Sequence, residues 1–107
     1  MLLIGWTTVG KCEDAGRLAR GLVEARLVAC VQIDGPITSH YIWKNRAETA
    51  EEFRLMIKFL PARAAAVETW LVAHHPYATP EWVVVQAKYV AEKYLSWART
   101  NCTDAPL

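Results

Sequence analysis

The chain switches between two hydrophobic periods, and the switches predict its elements. Residues 2–9 form an apolar, β-branched run bounded by Gly10, which predicts a first strand. From Glu13 onward, Ala15, Leu18, Ala19, Leu22, Val23 and Ala25 fall at helical spacing, with Arg17, Arg20, Glu24 and Arg26 elsewhere on the wheel. That spacing predicts a helix over residues 13–26. A short apolar run at residues 28–33 predicts a second strand, which Asp34-Gly35-Pro36 interrupts as a bulge or bend. Beyond the break, Ile37, Ser39, Tyr41 and Trp43 share one face, and Thr38, His40, Ile42 and Lys44 the other. The same strand therefore continues, bent.

Asn45-Arg46-Ala47 is the expected hairpin tip, with a return arm over residues 48–60. In that arm Phe53, Leu55, Ile57 and Phe59 share one face, and Glu52, Arg54, Met56 and Lys58 the other. Arms this long exceed the average strand of ~5–6 residues. They project beyond a small core and need a partner to cover their edges. Pro61 opens a second helix, Ala-rich over residues 62–72, and His74 begins a loop. Residues 82–87 read as a buried-type strand and residues 91–99 as a short terminal helix carrying Tyr94, Leu95 and Trp97; the tail, residues 100–107, reads as frayed.

The order β-α-β-β-α-β plus a terminal helix predicts an α+β domain spanning residues 1–107. Its expected form is a ferredoxin-like, split β-α-β antiparallel sheet with long hairpin arms, its helices on one face. The other face is bare and apolar in places, which again asks for a partner.

Composition sharpens this picture. Of 107 residues, 53% are hydrophobic and 21% charged, which excludes a disordered chain. Five Trp are many for so small a domain and hint at oligomerisation. A net charge of +1 without a basic stripe argues against a nucleic-acid partner. No apolar run approaches the ~20 residues of a membrane span, and the apolar N-terminus reads as a strand rather than a signal peptide. Cys12, Cys30 and Cys102 are odd in number and contain no CxxC pair, which fits reduced thiols in a cytoplasmic protein.

The densest polar cluster is His74-His75-Pro76-Tyr77-Ala78-Thr79-Pro80-Glu81, stiffened by Pro76 and Pro80. Two readings stay open: a preorganised binding loop, or a helix-ending loop whose Pro and His serve geometry and capping. Imidazoles suit copper and zinc, yet adjacent side chains of an extended segment point apart. His74 and His75 would share one ion only in a turned conformation. Glu48, Glu51, Glu52, Glu81 and Lys58 suit acid–base or cation chemistry, or simply solvated surface. Glu52 and Lys58 sit six residues apart on one strand, about 20 Å at ~3.3 Å per residue, too far for contact within that strand. No phosphate-loop, dinucleotide, nucleophile-elbow or zinc-protease motif occurs, and no nucleophile sits beside a base, so no enzyme is expected.

Several runs together resemble one family. They are Leu27-Val28-Ala29-Cys30-Val31-Gln32-Ile33, then Ser39-x-Tyr41-x-Trp43 with Glu48, Glu52 and Lys58, then His75-Pro76-Tyr77-x-x-Pro80-Glu81, then Tyr94-Leu95-x-Trp97. In this order they resemble the CutA family of divalent-cation-tolerance proteins over nearly the whole chain. The resemblance implies a cytoplasmic homotrimer, similar to the PII signalling proteins, that takes part in the response to metal ions. It implies an inter-subunit cleft for an ion or small ligand, lined by Trp43, Glu48, Glu52, Lys58, His75, Tyr77, Glu81 and Trp97. It also implies copper or another divalent cation as the bound ion, with His74 and His75 as its ligands, and no established catalysis. The chain departs from the family pattern at Thr7, where a late strand-one Cys is associated with copper binding.

Overall fold

A computed structural model describes residues 1–102. Four strands form one antiparallel sheet: β1 (Leu3–Val9), β2 (Cys30–Trp43), β3 (Arg46–Phe59) and β4 (Val83–Gln86), in the order β2-β3-β1-β4. Helices α1 (Cys12–Glu24) and α2 (Ala64–His74) cross over one face, and α3 (Glu92–Asn101) follows β4. This is the expected α+β arrangement.

Alternation decides which strand residues meet the helices. Val9 of β1 and Leu55, Ile57 and Phe59 of β3 are fully buried there against Leu18 and Leu22 of α1 and Val67 and Leu71 of α2. Trp82, just before β4, stacks on Phe59 at 5.9 Å between ring centroids. Its ring lies so close over Gly5 that any Cβ there would overlap it, so the approach of Trp82 requires glycine at position 5. A second, smaller cluster of Leu2, Ala29, Leu95 and Ala98 seats α3 at the sheet's end.

The interruption at Asp34-Gly35-Pro36 is a bulge within one continuous strand, since the β2–β3 register slips between Asp34 and Ile37. Gly35 has φ 149°, a left-handed backbone angle that favours glycine, and β2 turns there away from the core.

Several boundaries differ from the sequence reading. The hairpin tip is Lys44-Asn45, both at positive φ (49° and 63°), and Arg46 already pairs with Trp43. Two left-handed residues make the tight turn whose twist matches the strands, which overrides the three-residue tip expected at residues 45–47. Helix α2 starts after one 3₁₀ turn at Pro61–Arg63 and runs through His74, so His74 is its last residue and not a loop residue. Thr100 and Asn101 lie in α3, which corrects the fraying expected from residue 100, and the rest of that expectation, at residues 103–107, lies outside the described residues. Strand β4 reads as buried from Val83-Val84-Val85, yet all three valines are exposed, because β4 is an edge strand paired only with β1.

Candidate functional site

A groove of about 900 Å³ opens on the sheet face turned away from α1 and α2. One wall is the β2 arm: Ser39, Tyr41 and Trp43 share a face with Glu52 of β3, as the pairs Ile37–Glu52, Ser39–Ala50 and Tyr41–Glu48 require. The other wall is the loop from Pro76 to Glu81 that joins α2 to β4. Thr8, at the end of β1, also lines it. The volume lies within the usual range for small-molecule sites.

The loop is held by His75. Helix α2 stops at His74 because the residue before Pro76 is driven to extended backbone, and His75 has φ −72° and ψ 138°. That change turns the two imidazoles apart. His75 is buried, and its Nδ1 accepts the Tyr77 backbone N–H at 3.1 Å. A backbone N–H only donates, so the ring proton lies on Nε2, which donates to Thr7 Oγ1 at 2.9 Å. Burial pushes the His75 pKa below its usual value, with a backbone hydrogen bond at Thr8 opposing in part. Both ring nitrogens are therefore committed to the neutral form.

His74 stays exposed, stacked on Trp70 at 4.0 Å between centroids, and its Nδ1–H donates to the Trp70 carbonyl at 2.7 Å. Within one chain the adjacent histidines do not converge. Among the described residues no three His, Cys, Asp or Glu side chains group to hold a metal ion. The His pair thus does not fit a copper site as it stands, and Thr7 supplies a hydroxyl to His75 where a thiolate was the family expectation.

Tyr77 carries the loop onto the sheet: its OH donates to Glu52 Oε2 at 2.8 Å. Burial, then the hydrogen bond to Glu52, pushes the Tyr77 pKa up to about 12, so the phenol is a proton donor at neutral pH. Glu52 is only 8% exposed. Glu81 is raised by burial and then by the charge of Glu52, against the pull of Arg54. Arg54 itself is engaged elsewhere, in a two-point ion pair with Asp34 at 2.9 and 3.3 Å.

Four of the predicted residues therefore meet in this groove: Trp43, Glu52, Tyr77 and Glu81. His75 stands behind it as the loop's anchor. Glu48 lies farther along the arm, opposite Tyr41. Lys58 is at the other end of β3, bonded to Gln32 Oε1 at 3.0 Å and 5.6 Å from the Tyr94 ring centroid. Trp97 packs on that same Tyr94. One chain thus holds two separate clusters, at opposite ends of β3. Sequence reasoning did not place Thr7, Thr8 and Ser39 at the site. A Thr-Thr pair closing an apolar strand, and the shared face of Ser39 with Tyr41, were the available signals.

Fold and groove together define a ferredoxin-like α+β protein with a ligand-sized opening on its uncovered sheet face. The chain belongs to the CutA1 divalent ion tolerance protein family, whose model it matches over residues 3–101. It is 37% identical over 87 residues to the divalent-cation tolerance protein CutA of Pectobacterium atrosepticum, covering 81% of this chain and 79% of that one. The solved Thermus thermophilus divalent cation tolerance protein superposes with a TM-score of 0.92 at 33% identity, covering 96% of this chain and 100% of that one. A structure described as the periplasmic divalent cation tolerance protein CutA of Archaeoglobus fulgidus gives 0.92 at 30% identity, with coverage of 96% and 100%. No helix among the described residues is long and apolar enough to cross a membrane.

Proposed function

We propose that this chain works as a homotrimeric binding protein in the response to divalent metal ions, with the groove as a ligand cleft completed by a neighbouring copy. The observation that carries this is the arm. Strands β2 and β3 are 14 residues each, and the molecule is 45 Å long but only 28 by 22 Å across. At the arm's end Tyr41, Ile42 and Trp43 are exposed, Ile42 by 72%. Apolar side chains on bare strand edges call for a covering partner. β2 and β4 form opposite edges of the sheet, so a head-to-tail contact closing as a ring satisfies every copy alike. The family resemblance supports three as the number of copies.

In such a ring the Lys58–Trp97 cluster of one copy is free to approach the Glu52–Tyr77 groove of the next. That approach gathers residues that one chain keeps apart. The role is binding and signalling of the PII kind rather than catalysis: the Thr7 hydroxyl beside His75 accepts the ring N–H, so that imidazole is not placed to take its proton. A bound ion or small ligand is the expected occupant. Direct copper ligation by His74 and His75 is disfavoured by the committed nitrogens of His75. Three unpaired thiols suit a reducing compartment, and we place the protein in the cytoplasm. Light scattering at micromolar concentration tests the assembly: the mass of three chains is expected, and a well-folded monomer overturns the reading.

A further inference from the structure

We draw no further inference here: the strongest candidate, the side-chain cluster of Cys30, Lys58 and Tyr94 at the end of β3 remote from the hairpin tip, lies on the sheet face that the proposed assembly covers and belongs to the cleft already described.

Discussion

The two halves of the β2–β3 hairpin are paired by the same ladder yet live in different surroundings. Near the sheet's centre Leu55, Ile57 and Phe59 are fully buried beneath α1 and α2. Toward the tip, Tyr41, Ile42 and Trp43 carry comparable apolar surface and are exposed. Backbone hydrogen bonding is common to both halves, so it cannot be what separates them. The difference lies in what covers the side chains. The near half finds its cover within the chain, and the far half must find it outside. An apolar alternation along a strand therefore records that a face is to be buried, without recording by whom.

The largest effect should come from the covered half. Leu55→Ala leaves a cavity under two helices and should cost about 2–5 kcal/mol in denaturant unfolding. A loss below that range would mean that the near half also depends on outside cover. His75→Leu comes next. It strands the buried Thr7 hydroxyl and should cost about 1–3 kcal/mol. It should also change the pH dependence. The folded His75 pKa is depressed, so its neutral form stabilises the fold above the unfolded value near 6.5. That contribution falls as pH drops below 6.5 toward the folded pKa. The raised Glu81 works in the opposite sense, favouring the folded state on acidification toward its usual 4.5. Subtracting the variant's stability profile from the parent's isolates the histidine; a difference that is flat through the acid limb contradicts its assignment as the loop's anchor.

Tyr77→Phe should cost less, about 1 kcal/mol for the lost bond to Glu52. Here the folded pKa is raised to about 12 from 10.0, so the parent should lose stability as pH climbs from 10 toward 12 and the variant should lose less, keeping only the share owed to the raised Tyr94. Alkaline unfolding curves of the two proteins decide it. The smallest effect within a single chain should be at the tip: Ile42→Ser should change the stability of an isolated chain by no more than about 0.5 kcal/mol. Yet it should abolish the concentration dependence of the midpoint that assembly confers. Unfolding midpoints measured across a hundredfold range of concentration expose the contrast between the two halves directly.

Much of the fold was legible because period is a strong signal. Alternation over Phe53–Leu55–Ile57–Phe59 and the helical spacing of Ala15, Leu18 and Leu22 each place a face correctly, and Asp34-Gly35-Pro36 marks the bulge. The turn was misplaced because Lys44, unlike Asn or Gly, gives no local sign that it will take a left-handed backbone. The burial of β4 was misread because three consecutive valines look the same at a sheet's edge as at its centre. At the site, Trp43, Glu52, Tyr77 and Glu81 were named together through family resemblance, and the geometry joins them. The tie from His75 to Thr7 was not legible, since 68 residues separate the two and only the crossing of β1 beneath the loop brings them into contact.

The ring of Trp82 over Gly5 has a consequence for how this sequence is free to vary. Trp82 follows directly on Glu81 and leads into β4, so whatever moves its ring also moves the end of the loop that walls the groove. A methyl group at position 5, on the far side of the sheet from any ligand, would shift that wall. In a library of random variants selected for binding, changes at position 5 should survive only alongside a smaller residue at position 82, and the two sites would pass from one generation of survivors to the next as a linked pair.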